Sequence, residues 1–99
     1  MERIIKTPWG LEELLFKSSD VDWIVKRLVV KKGHRTSLQY HKRKNEFMFF
    51  KDGDWKYIPA GERHRLTGPV EVIEVSDAGY ENDIVRLEDD YGRVKRRLA

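Results

Sequence analysis

The sequence predicts an all-β fold, a small barrel or sandwich of short strands, on three observations. Its apolar runs are short and bounded by turn residues. None keeps a helical period long enough to outweigh the Val, Ile, Trp, Tyr and Phe content, which suits a pleated, half-buried surface. The runs also follow one another at close spacing, as in closed or doubly layered β-architectures. The first predicted strand is LEELLFK at 11–17, ended by SSDVD. WIVKRLVVK at 23–31 runs into the KKGHR turn, and TSLQYH at 36–41 follows. Next come EFMFF at 46–50 and, across the KDGD turn, WKYI at 55–58. PAGE then leads to RHRL at 63–66, and TGP to VEVIEV at 70–75, which makes seven strands. DIVRLEDDYGR, 83–93, fits either a last strand turning at Asp90 to Gly92 or a short helix; the strand is the reading adopted.

A chain of 99 residues has apolar material for one core, so residues 1–99 are expected to form one domain. With 39% hydrophobic and 11% aromatic residues, Trp9, Trp23 and Trp55 among them, the chain is globular despite 37% charge. It has no cysteine, which excludes disulfides and thiolate metal sites and agrees with a reducing, cytoplasmic setting. MERIIKTPWG lacks the apolar core of a signal peptide, and Lys26 and Arg27 interrupt WIVKRLVV, so no membrane span is expected. The net charge of +3 is dispersed over four basic clusters, at 31–35, 42–44, 63–65 and 93–97, each of which also reads as a solvated face. Neither a stacking platform nor a groove-reading helix accompanies them, so nucleic acid is not an expected partner.

One segment is too polar for an ordinary strand. In SLQYHKRKNE, 37–46, strand geometry puts Gln39 and His41 on one face, roughly 6 to 7 Å apart. Histidine offers a neutral nitrogen, glutamate an anionic oxygen and glutamine a weak carbonyl oxygen. Gln39, His41, Glu46 and a second histidine would therefore make a mixed nitrogen and oxygen site for Zn²⁺, Mn²⁺, Fe²⁺ or Ni²⁺. His64 is the candidate: it follows IPAGER, where Pro59 and Gly61 form a tight turn that can aim the next side chains inward. His34, in the KKGHR turn, is expected to be exposed. Taken singly, each residue also has an ordinary reading, with the histidines as hydrogen-bonded strand residues and Glu46 as an ion-pair partner of Lys44 or Lys56.

VKRLVVKKGHRTSLQYHKRKNE, YIPAGERHRL and IEVSDAGYENDIVRLEDDYGR together resemble the cupin domain of type II mannose-6-phosphate isomerases, a module often fused behind a mannose-1-phosphate guanylyltransferase. The likeness runs from TPWG to Arg93. The first cupin motif matches as Gly33, Gln39, His41 and Glu46, and the second as Gly53, Pro59, Gly61 and His64. The resemblance implies a jelly-roll-like cupin barrel with Gln39, His41, Glu46 and His64 as metal ligands, the set already proposed from ligand chemistry. The chain departs from the family at Lys42 and Arg43, where histidines are usual, at Lys44, where arginine is usual, and at Phe47 and Met48, where His-Trp is usual. Gly53 both closes the first motif and opens the second, so the barrel is expected to be shortened by about two strands. No guanylyltransferase activity is expected of this stretch. A shortened barrel leaves apolar surface and an unpaired strand edge, from which a homodimer is expected.

The resemblance further implies aldose to ketose isomerisation of a small anionic sugar or sugar phosphate, with the metal stabilising the enediolate. Of the basic residues near the motifs, Arg43, Lys44 and Arg65, with Arg93 of EDDYGR, are the candidates for holding the phosphate. Lys42 and Arg63 complete a basic rim at the strand ends. No general base can be nominated, since Tyr40 faces away from His41 and Glu46 is committed to the metal. Two other classes stay open: an iron-dependent oxygenase using His41, His64 and Glu46 as a facial triad, and a non-catalytic module that binds a sugar phosphate or carbohydrate.

Overall fold

The computed structural model describes residues 3–80 and 82–94. Among them are eight strands and no helix: β1 (Ile4–Thr7), β2 (Gly10–Lys17), β3 (Trp23–Val30), β4 (Leu38–His41), β5 (Glu46–Phe50), β6 (Trp55–Ile58), β7 (Val70–Asp77) and β8 (Ile84–Glu88). Six form an antiparallel sheet in the order β1-β2-β3-β7-β5-β6, and β4 pairs with β8 in a separate two-stranded sheet. The described residues thus have a small all-β fold.

Side-chain alternation decides which face of the large sheet is inward. Ile24, Leu28 and Val30 of β3, Met48 of β5, Ile58 of β6 and Val72 of β7 are buried, and with Trp9 and Leu66 most of them fill one end of the interior. Each such side chain removed from water contributes roughly 1.5 to 3 kcal/mol. Going along the strands, the inward rows change character: Lys26 of β3 stands opposite Glu74 of β7, and Ser76 of β7 opposite Glu46 of β5. Glu46, Glu74 and Ser76 are all buried, so half of the interior is polar.

Two segments differ from the sequence-based expectation. β1 was not anticipated; it pairs with β2 across the Pro8–Trp9 turn, and Gly10 at the start of β2 lets that strand approach β3, since a Cβ there would lie 1.9 Å from the carbonyl oxygen of Val29. RHRL at 63–66 is not a strand. Side-chain bonds replace its ladder: Thr36 Oγ1 accepts from the Leu66 N–H (2.9 Å) and Arg65 Nε donates to the Thr36 carbonyl (3.2 Å). Only single bridges, Gln39 with His64 and Arg35 with Thr67, remain. His34 is half-buried rather than exposed, because its Nδ1 meets the Tyr91 hydroxyl at 2.8 Å. DIVRLEDDYGR resolves as strand β8 and a turn.

Candidate metal centre

Backbone bonds bring the two motifs together. The Gln39 N–H donates to the His64 carbonyl (3.0 Å), the His64 N–H returns a bond to the Gln39 carbonyl (2.8 Å), and the Gly61 N–H reaches the His41 carbonyl (2.8 Å). Gly61 sits at φ +89°, a left-handed conformation that glycine adopts without steric cost, which turns the loop sharply before His64. Asn45 fixes the start of β5. Its backbone and side-chain N–H groups donate to Asp77 at 2.9 and 3.0 Å, and its side-chain oxygen accepts from Ala60 at 3.0 Å.

The result is a convergence of His41, Glu46 and His64, all buried, with one ligand atom from each within 4.8 Å of the others. His41 Nε2 lies 2.6 Å and His64 Nε2 3.4 Å from the same oxygen, Glu46 Oε1. Ligand atoms held about 2.1 Å from one ion would stand roughly 2.9 to 3.4 Å apart, close to these separations. The opposite nitrogens are already engaged: His41 Nδ1 with Asp83 Oδ1 and His64 Nδ1 with the Glu62 carbonyl, each at 3.0 Å. With each Nδ1 engaged by these acceptors, both Nε2 atoms face Glu46, donating to it when protonated and offering lone pairs at the same point once deprotonated. Neither His64 Nε2 nor Glu46 Oε1 has a well-aligned hydrogen bond, although both are buried. Two lone pairs and an anionic oxygen aimed at one point are what a divalent cation would satisfy, so the trio could hold a metal ion.

Gln39 lines the same cavity, but its Oε1 accepts from Ser37 Oγ at 3.0 Å. The proposed cations separate. Lys44 is buried on the cavity wall rather than on a rim, and Arg93 also lines the cavity. Arg43 is exposed in a different surface depression, and Arg65 turns towards Thr36 and Glu88, so neither lines the central cavity. Lys42 and Arg63 are exposed. Lys56, considered as a partner of Glu46, instead faces Glu62 at 3.5 Å.

Charge is arranged tightly around the trio. Burial pushes the Glu46 carboxyl up, but Glu74, His41 and His64 beside it and the charge of Lys44 outweigh burial and hold it far below the usual carboxylate range. Glu74 moves the other way: burial, then the adjoining Glu46, push it well above that range, against the weaker pull of Lys44 and Lys26. Glu74 therefore carries the proton of the pair. His64 is raised, since Glu46 and the Glu62 carbonyl outweigh its burial. Asp83 is lowered, because backbone N–H groups of Arg43 and Lys44 and the ring of His41 outweigh its desolvation.

Asp83, Glu74 and Arg86 escaped the sequence reading. Glu74 was detectable in principle, since VEVIEVS places it in step with Val72 on the buried face of its strand. Asp83 and Arg86 became meaningful only once β8 was paired with β4, where Arg86 stands opposite Gln39 and Ile84 opposite His41.

A small all-β barrel with two histidines and a glutamate converging from the two cupin motifs defines a cupin fold. Within that class the chain is similar in sequence to one stretch of several larger curated proteins. It is 34% identical over 114 positions to the xanthan biosynthesis protein XanB of Xanthomonas campestris pv. campestris, covering 93% of this chain and 24% of that protein. It is 32% identical over 116 positions to the mannose-1-phosphate guanylyltransferase ManC of Salmonella typhimurium, covering 95% and 24%. With the alginate biosynthesis protein AlgA of Pseudomonas aeruginosa, identity is 36% over 111 positions, covering 88% and 22%. The chain thus spans about a quarter of the length of these curated relatives. Each alignment is longer than the 99-residue chain itself, so the relatives carry positions that it lacks. Among solved structures, the capsular polysaccharide assembling protein CapF of Staphylococcus aureus superposes with a TM-score of 0.51 over 86% of this chain and 34% of its own, at 14% identity, a likeness of fold. No protein-family model matches the chain.

Proposed function

We propose that the chain acts as a single metal-binding cupin domain, residues 1–99, that takes a small sugar phosphate and carries isomerase-like chemistry. The observation behind this reading is the meeting of His41 Nε2, His64 Nε2 and Glu46 Oε1, with both Nδ1 atoms committed elsewhere. Zn²⁺, Mn²⁺, Fe²⁺ and Ni²⁺ all suit this donor set, with Gln39 placed to add a fourth, weaker oxygen on leaving Ser37. When bound, the ion would supply Lewis-acid polarisation of a substrate oxygen. The cavity beside the trio, about 270 Å³, suits a ligand of hexose size.

The chain's own residues supply the remainder. Lys44 and Arg93 on the wall attract an anionic group; Arg43 and Arg65, off the cavity, drop out of that role. Glu74, on the same wall, holds a proton next to Glu46 and is the group best placed to exchange one with a bound ligand. Trp9, Leu28 and Met48 form an apolar floor that excludes bulk water. Relatives named for mannose-1-phosphate guanylyl transfer favour a phosphorylated sugar over other small anions.

Self-association is part of the reading. Phe47, Phe49, Trp55 and Tyr57 project from the outer face of β5 and β6, each 40 to 60% exposed, and ring centroids lie as close as 4.7 Å. At roughly 150 to 250 Å² per aromatic side chain, these four expose about 400 Å², half of what one partner contributes to a standard interface. β6 is moreover an edge strand. A second copy covering this face is the proposed partner. Among the described residues no helix is long and apolar enough to cross a membrane, and a cytoplasmic location is proposed.

Elemental analysis of the purified protein beside a His64→Ala variant tests the metal, and conversion of mannose 6-phosphate to fructose 6-phosphate tests the chemistry. Stoichiometric metal in the native chain and its loss in the variant are expected. Equal metal in both overturns His64 as a ligand, and metal with binding but without turnover leaves a non-catalytic binding module.

A further inference from the structure

The polar wall of the cavity carries four cations, three of which are answered. Lys26 Nζ meets Glu12 at 3.0 Å, Arg93 forks onto Asp89 with two contacts of 2.9 Å, and the charge of Lys44 falls on Glu46 and Glu74. Arg86 is the exception. It is half-buried, its Nε is enclosed and unsatisfied, and its side chain has neither a hydrogen bond nor an ion pair among the described residues. The side chain projects from β8 onto the cavity wall, opposite Gln39 and two strand positions from the pair Ile84 and His41. Across such a ladder, diagonal Cβ atoms are about 7 Å apart, within the reach of an extended arginine.

We propose that Arg86 is the anchor for the phosphate group of the ligand, gripping two of its oxygens through the guanidinium fork beside the His41, Glu46 and His64 centre. This deepens the proposed function and rests on its reading of the cavity as a small-ligand site. An unpaired, partly desolvated cation costs folding free energy, and burial together with the neighbouring charge of Arg93 works against its protonated form, only partly offset by Asp89. A ligand that brings its own negative charge removes that cost. A phosphate monoester fits better than a carboxylate: it is a dianion near neutral pH, and the Arg86 fork can take two of its oxygens while Lys44, shared with Glu46 and Glu74, adds positive potential on the same wall.

The test uses zinc-loaded native protein, Arg86→Gln and Arg86→Lys, titrated with fructose 6-phosphate, fructose and inorganic phosphate by calorimetry, with zinc content and thermal midpoint measured for each. Losing a charged hydrogen-bonded contact predicts ~10- to 100-fold weaker binding of fructose 6-phosphate to Arg86→Gln. Arg86→Lys should recover only part of it, while fructose affinity and zinc content stay unchanged. The thermal midpoint of Arg86→Gln should equal or exceed that of the native chain, since the unpaired charge is gone. Unchanged fructose 6-phosphate affinity at native zinc content overturns the proposal, and so does a variant that fails to fold, because the residue would then serve the structure. Phosphate binding that depends on Arg86 in a protein that takes up no zinc sustains this anion site while sinking the metal reading.

Discussion

Replacing Asp83 with alanine separates a metal centre from a buried cluster of polar side chains. Asp83 Oδ1 accepts from His41 Nδ1 at 3.0 Å, and Oδ2 accepts from the backbone N–H groups of Arg43 (2.7 Å) and Lys44 (3.0 Å). One carboxylate thus holds the turn after β4 and the ring that ends it. Arg43 is exposed, so water can replace its lost bond, whereas the His41 side chain is 6% exposed and its Nδ1 proton would be stranded. The expected stability cost is about 2 to 3 kcal/mol, from that donor and the N–H of buried Lys44. The larger signature is in zinc affinity. With no acceptor at Nδ1, the ring no longer favours the tautomer that points a lone pair at Glu46, and loss of such a supporting partner typically costs ~10- to 100-fold in affinity. Competition against a chromophoric chelator measures this, with Asp90→Asn as control, since among the described residues Asp90 pairs with exposed Arg35 and touches none of the trio. Asp83→Asn, which keeps one acceptor oxygen, should fall between. A folded Asp83→Ala protein binding zinc within twofold of the native chain would refute the reasoning.

Three further outcomes follow from the same structure. The Arg93 guanidinium holds the Asp89 carboxyl at about 2 against an ordinary value of 3.8; a lowered acid stabilises above its unfolded pKa and ceases to do so as pH falls through its folded one. Stability measured in urea should therefore decline between about pH 4 and 2 by roughly 1 to 2 kcal/mol more in the native chain than in Asp89→Asn. Gly10→Ala, which drives a Cβ to 1.9 Å from the Val29 carbonyl oxygen, should destabilise by ~3 kcal/mol or more in thermal melts, and a loss below about 1 kcal/mol would contradict the close β2–β3 approach. Phe47→Glu with Trp55→Glu should leave a folded monomer by light scattering where the native chain is a dimer; an identical mass for both proteins removes the outer aromatic face as the interface.

Much of the fold was legible because alternation in a one-sided sheet is a strong local signal. EFMFF and WKYI have the bounds of β5 and β6, since KDGD fixes a short hairpin between them. IIKT was not recognised because it is exposed along its length, lacks a buried face and is tied down only by its neighbour β2. RHRL misled because its alternation is real, with His64 and Leu66 buried, yet its backbone partners are side-chain oxygens and isolated bridges rather than a ladder. The convergence of His41, Glu46 and His64 could be anticipated from motif spacing. What spacing could not convey was the environment of each group. Lys44 looked like solvated charge and is buried; Arg43, its neighbour, faces outward in another depression; and the partners Asp83, Glu74 and Arg86 lie 28 to 45 residues beyond Glu46 or His41 in sequence, brought to the site by β-pairing and by the side-chain bonds of Asp83.

His41 ends a strand of the small sheet, Glu46 begins a strand of the large one, and His64 is stitched to the small sheet by backbone bonds. A cation shared by the three would act as a rivet between two layers that have no common ladder. Starving the protein of metal should then loosen the seam between the layers before either sheet frays, and amide exchange in β4 and β8 should quicken ahead of that in β3 and β7.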